Sequence, residues 1–171
     1  MSLALQPQTE QGELVVARAA SLVETLAGRA TQADVSNHVV RQNFDDLVAS
    51  GVAAAFVPEA LGGLGLESIH DWVLTIATLA RGDASTAIAI NMHLGVSRGM
   101  SLAYRDAMAR TGGGQKAADG LAATLRQLAA GEMLICATAT EPGTDNLHPR
   151  TEAVEDNDGW RINGRKIFVT L

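Results

Sequence analysis

The feature that most constrains this chain is a change in the spacing of its apolar residues near Gly131. Before it they recur every three or four positions, the period of a helix with one buried face. After it, short runs are separated by turn dipeptides, the pattern of strands. Leu14, Val15, Leu22, Val23 and Leu26 predict a first helix, and Val40, Phe44, Leu47 and Val48 a second that closes at Gly51. In VPEALGGLGLES, Pro58, Gly62, Gly63 and Gly65 predict a loop whose backbone takes conformations that other residues avoid. Ser68 and Asp71 then stand at capping-box spacing, with Asp for the usual Glu or Gln, and Ile69, Trp72, Val73, Ile76, Leu79 and Ala80 form one apolar stripe. From Ala84 to Tyr104 the pattern is apolar nearly all round, which predicts a central helix, the most buried of the set, with Ile88 as a core side chain.

The segment TGGGQK reads as a break, and Ala117 to Ala130, with Leu121, Leu125 and Leu128, as a last, more exposed helix. Beyond Gly131, Met133 to Thr140, Thr151 to Asp156 and Trp160 to Ile162 read as strands, with Asp158-Gly159 and Asn163-Gly164 as turns and Arg165 to Leu171 as a further strand. The expected fold class is α+β: an all-α helical bundle over residues 1–131, followed over 132–171 by the first strands of a second domain. The last predicted strand reaches Leu171 without a turn or partner, an open edge of the kind natural proteins cover. The chain therefore reads as truncated, and as prone to self-association in isolation.

Composition removes several functions. Aromatic residues make up only 4%, so the core must come mostly from Ala, Leu, Val and Ile, as in packed helices. The net charge is -6 and the basic residues are scattered, which argues against nucleic acid as a partner. No basic leader precedes an apolar core, and no run of about eighteen apolar residues is present to cross a bilayer, so no membrane association and a cytoplasmic location are expected. Cys136 is the single cysteine, which rules out an internal disulfide and a cysteine-based zinc cage within one chain.

Gly112-Gly113-Gly114-Gln115-Lys116-Ala117 formally matches a dinucleotide-binding fingerprint, but helix and not strand leads into it, so no Rossmann site is assigned. The four histidines never fall at metal-ligand spacing, and no metal site is expected. His93 lies on the apolar fourth helix, and two readings stay open: a core histidine with a hydrogen-bond partner, or a residue lining a substrate pocket. ATATEPGTDN places Thr138, Thr140, Glu141 and Asp145 where a strand runs into a Pro-Gly turn; by itself this reads as a strand end whose hydroxyls satisfy local backbone groups.

TATEPGTD, then Thr151, then DGWRINGRKIFVT resembles the acyl-CoA dehydrogenase pattern of T-E-P-G-A-G-S-D, a Thr, and G-x-x-x-x-N-G-x-K-x-W-I-T. Upstream, GVAAAFVPEALGGLGLES and RGDAST followed by an apolar run are also similar to that family, so the resemblance covers most of the chain. It implies that the second domain is the start of a β-barrel-like middle domain, cut before a C-terminal helical domain. It also implies an FAD cofactor, an acyl-CoA-like substrate, a place in fatty acid metabolism, and a homodimer or homotetramer.

In the family the flavin lies against the middle domain, which implies that Thr138, Thr140 and Thr170 face the polar edge of its ring and that Phe168, where the family usually has Trp, packs beside it. Such donors suit a reduced flavin, whose negative charge develops at the ring edge. Thr144 matches the family's loop Ser and, with His93, is the expected substrate contact; the loop between Pro142 and Asp145 is two residues shorter than the family's. The family's general base, a Glu, belongs to the C-terminal domain, so no catalytic residue is expected in this chain and the isolated chain is expected to be inactive. The implied reaction is FAD-dependent α,β-dehydrogenation of an acyl-CoA, with two alternatives: a flavin monooxygenase of the same fold, or a non-catalytic helical module.

Overall fold

The computed structural model describes residues 5–110 and 113–169. The chain divides into two compact units, one running to Ile135 and the other starting at Cys136. The first holds five α-helices: α1 (Glu10–Ser36), α2 (Arg41–Ala49), α3 (Ile69–Ala80), α4 (Ala84–Ala109) and α5 (Gln115–Ala129). The second holds a two-stranded antiparallel sheet of β1 (Glu152–Asp156) and β2 (Gly159–Asn163), in register from Glu152 opposite Asn163 to Asp156 opposite Gly159. The α+β class expected from the pattern is the class observed.

Three of the helices, α1, α3 and α4, start where a side chain satisfies their first amides. Thr9 accepts from the Gly12 amide, Ser68 from that of Asp71, and Asp83 from those of Ser85 and Thr86. The loop after Val57 has the expected positive φ at Gly62 (93°) and Gly65 (66°). Between α2 and that loop, Val52 to Val57 is an unbroken buried run, with a 3-10 turn at Val52–Ala54. Phe56 from this run joins Val15, Leu26, Leu47, Leu66, Leu79, Ile90 and Leu94 in one core cluster. Val57 joins Leu61, Leu125 and Leu128 in a second.

The predicted α3 stripe is displaced. Leu79 is buried, Trp72 and Ile76 are half-buried, but Ile69, Val73 and Ala80 are exposed, and the buried positions include Asp71 and Thr75. The cause is a polar clasp: the Asp71 carboxylate accepts from the Gln8 amide (2.8 Å) and the Thr9 hydroxyl (2.7 Å) at the start of α1. Gly12 makes the approach possible, because a Cβ there would lie 2.1 Å from Asp71 Oδ2. Burial alone would raise the Asp71 pKa, but the hydrogen bonds from Thr9 and Gln8 hold it below the ordinary value.

α4 packs against both α3 and α5, yet it is not buried all round: Ile88 is 65% exposed, and Leu102 and Met108 are also exposed. Its buried face is Thr86, Ala87, Ile90, His93, Leu94, Ser97 and Ser101. Ile88 is therefore corrected from core to surface; a helix that is apolar on every side gives no period from which to choose its inner face.

The predicted strands at 133–140 and 165–171 are not formed over the described residues. One backbone bond links the two segments, from the Ile167 amide to the Thr140 carbonyl (3.0 Å), too little for a ladder. Phe168 has a φ of 57°, which interrupts an extended backbone. Asn157, also left-handed at 47°, makes the turn between β1 and β2.

Candidate functional site

The Thr-Glu-Pro segment and the Lys166–Phe168 segment form one polar arrangement, and Glu141 holds it. Its carboxylate is 3% exposed and accepts from the Lys166 ammonium (2.6 Å) and from the backbone amides of Arg150 and Thr151. The Lys166 ammonium and these amides bring the Glu141 pKa down to about 2. Lys166 also donates to the Ala139 carbonyl (3.3 Å), and the Thr138 hydroxyl to the Ile167 carbonyl (3.4 Å). Together with the bond between Ile167 and Thr140, these contacts tie residues 138–141 to residues 166–167 on consecutive positions.

Thr138 and Thr140, two residues apart, are both half-buried, while Ala137 and Ala139 between and beside them are exposed. Phe168 follows directly on the Lys166–Ile167 pair, 79% exposed and in a backbone conformation that costs energy for any residue but glycine. The Thr138 hydroxyl reaches the carbonyl of Ile167, one residue before this exposed aromatic side chain. Thr170, the fourth expected flavin contact, lies outside the described residues.

The two residues expected to contact the substrate, Thr144 and His93, lie in different units. The Thr144 hydroxyl donates to the His148 carbonyl (2.6 Å), and the Arg150 guanidinium donates to the Gly143 carbonyl (2.9 Å), so the short loop folds onto itself. Asp145 closes it by accepting from the amides of Leu147 and His148, and the His148 side chain first, then these amides, holds the Asp145 pKa below the ordinary value. His93 belongs to the first unit and is fully buried. Its Nε2 donates to the Ala53 carbonyl (2.8 Å) and its Nδ1 accepts from the Ile135 amide (3.0 Å), which fixes a neutral tautomer. Burial lowers its pKa. This is the geometry of the core-histidine reading, with both nitrogens occupied and no ring face open.

Sequence reasoning missed Lys166 as the partner of Glu141. No local signal marks the pair, because the burial that makes the Glu141 carboxylate need a cation or several amides is set by the fold. Two surface grooves of the first unit, about 600 Å³ beside Phe44, Val48 and Met133 and about 240 Å³ beside Asn37, Phe44 and Thr86, include none of the expected site residues.

Residues 9–105 match the family model for the N-terminal domain of acyl-CoA dehydrogenase, and the chain belongs to that family. The family is one of flavin oxidoreductases. Among the relatives, the amino sugar nitrososynthase DnmZ of Streptomyces peucetius is 37% identical over 75% of this chain and 29% of its own. The L-evernosamine nitrososynthase of a Micromonospora species is 32% identical over 96% of this chain and 37% of its own. The (2S)-methylsuccinyl-CoA dehydrogenase of Cereibacter sphaeroides is 36% identical over 72% of this chain and 21% of its own. A solved structure of KijD3 in complex with FMN and a dTDP-linked 3-amino-4-keto sugar aligns over 95% of this chain and 38% of that one, with a TM-score of 0.78 and 28% identity. The chain thus spans between 21 and 38% of the length of these four proteins.

Proposed function

We propose that this chain is part of a flavin-dependent enzyme that oxidises the amino nitrogen of a nucleotide-linked amino sugar. The observation that carries the reading is the likeness, over 95% of the chain, to a structure holding both a flavin and an amino-sugar nucleotide. Two amino-sugar nitrososynthases at 32 and 37% identity support it. So does the short loop at Gly143-Thr144, which folds back on itself and is two residues shorter than the loop the family uses toward acyl-CoA.

Thr138, Thr140, Thr170 and Phe168 would hold the flavin, the threonines at its polar edge and Phe168 against its face. The bound group supplies electron transfer to dioxygen. In the reaction, an amine, dioxygen, two electrons and two protons give a hydroxylamine and water. A second round with another dioxygen, two electrons and two protons gives the nitroso compound and two waters. Reduced nicotinamide is the class of reductant required. The role of this chain's residues is to bind and orient: Glu141 and Lys166 fix the two segments that carry Thr138, Thr140 and Phe168, so that less reorganisation is needed when charge develops at the ring edge.

The test is product mass. With flavin, reduced nicotinamide, oxygen and an aminodeoxy-sugar nucleotide, the whole enzyme of which this chain is part is expected to give a product heavier by one oxygen, followed by one that has lost two hydrogens from it. An unchanged nucleotide, together with loss of two hydrogens from an acyl-CoA, would reverse the assignment. That second reading, α,β-dehydrogenation of an acyl-CoA, is favoured by the 36% identity to the methylsuccinyl-CoA enzyme.

A further inference from the structure

The chain leaving α5 is fastened firmly at its start and lightly just beyond. Gly131, at a φ of 71°, ends the helix, and the Glu132 amide donates back to the Gln127 carbonyl (3.0 Å). Among the described residues, the backbone of Met133 to Ile135 makes no bond to other backbone. What holds it by a hydrogen bond is His93 on α4, whose Nδ1 accepts from the Ile135 amide (3.0 Å). Leu134 and Ile135 are only half-buried against the two core clusters, and Met133 is 38% exposed. Met133 and Leu134 also line the groove of about 600 Å³, together with Val39, Phe44 and Val48, so the segment has open space beside it.

The opposite nitrogen of the ring is held by a stiffer element. Nε2 donates to the Ala53 carbonyl (2.8 Å), in the buried run Val52 to Val57, where the amides of Ala54, Ala55 and Val57 bond to the carbonyls of Gly51, Val52 and Ala54. A neutral imidazole suits both partners, because one nitrogen gives and the other accepts. A protonated imidazole carries N–H on both nitrogens, so Nδ1 would meet the Ile135 amide donor against donor while the bond to Ala53 persisted. The ring has no exposed surface through which water could relieve that clash. No charged side chain relieves it either. The turn Val52–Ala54 carries none, and burial, which lowers the His93 pKa, is joined there only by the two backbone partners. Arg98, the next charged residue on α4, and Glu132, beside the segment, do not act on it.

We propose that His93 is a proton-operated latch on the chain leaving α5: neutral, it holds residues 133–135 in place, and protonated, it expels the Ile135 amide and frees Met133 and Leu134 from the wall of the groove. The segment yields because it has a single hydrogen bond to lose, whereas the run around Ala53 is bonded within itself. The latch is closed above the ordinary histidine value of 6.5 and opens as pH falls through the lower value of the folded protein.

Hydrogen exchange read by mass spectrometry on the whole enzyme, from about pH 8 downward and corrected for the intrinsic effect of pH on exchange, tests the latch. The exchange of the His93 ring C–H in the same samples follows its titration. The peptide that contains Ile135 is expected to exchange about tenfold faster or more as His93 protonates, the loss usual when a buried donor gives up its partner, while the α4 peptide around Ile90 and Leu94 keeps its protection. His93→Gln offers a donor and an acceptor but does not titrate, so exchange at Ile135 should then be independent of pH. Protection at Ile135 that is unchanged through the titration of His93, or lost only together with that of α4, would overturn the latch. So would a pH dependence that survives in His93→Gln, which would belong to another group such as Glu132. Should His93→Gln fail to fold, the comparison of the two peptides in the parent carries the test.

Discussion

A glutamate with 3% of its side chain exposed stays charged only where its surroundings replace water, and Glu141 is so surrounded by one ammonium and two amides. Its folded pKa of about 2 lies below the ordinary 4.5. The carboxylate's bonds therefore stabilise the fold fully above 4.5, and that contribution is lost as pH falls through about 2. An NMR titration of the Glu141 carboxyl should show a midpoint near 2, moving upward in Lys166→Met. A midpoint in the usual glutamate range for the parent protein would contradict the clasp. His93 works in the same direction at higher pH: burial lowers its pKa, so its protonation opposes folding as pH falls below about 6.5.

Among the elements, α4 separates what apolar content says from what packing decides. Ile90 is fully buried and Ile88 is 65% exposed, two positions apart on one helix. Ile90→Ala should cost about 2 to 5 kcal/mol, the range for a large-to-small core change, and Ile88→Ala about 0.5 kcal/mol or less. Thermal or urea unfolding of the two variants measures both, and equal losses would mean that the helix is buried on both sides. The helices, their caps at Ser68 and the left-handed glycines at 62 and 65 were legible in the sequence because they depend on local chemistry. The inner face of α3 was not, since a buried Asp71 counts as polar in any periodicity until its partners Gln8 and Thr9, more than sixty residues away, are known. The strand pattern at 133–140 failed for a related reason: alternation gives the preference, but a strand exists only where a neighbouring segment completes the ladder. At the candidate site, Thr138, Thr140 and Phe168 were visible through family resemblance, whereas the Glu141–Lys166 pair depends on a contact across 25 residues.

For the molecule as a whole, membership of a flavin family leaves two chemistries, and they differ in the direction of the electrons. A dehydrogenase takes them from its substrate; an N-oxidising enzyme takes them from a reductant and passes them to oxygen, with the amine oxidised at the same time. No described helix is long and apolar enough to cross a membrane, and the chain's net charge of -6 offers no general attraction for an anionic ligand. The measurement that tests the account most directly follows the absorbance of the flavin-loaded whole enzyme, of which this chain is part, without oxygen. The account predicts that neither an acyl-CoA nor an aminodeoxy-sugar nucleotide bleaches the flavin, and that after reduction by nicotinamide and admission of oxygen the colour returns with oxidation of the amine. Anaerobic bleaching by an acyl-CoA would contradict it.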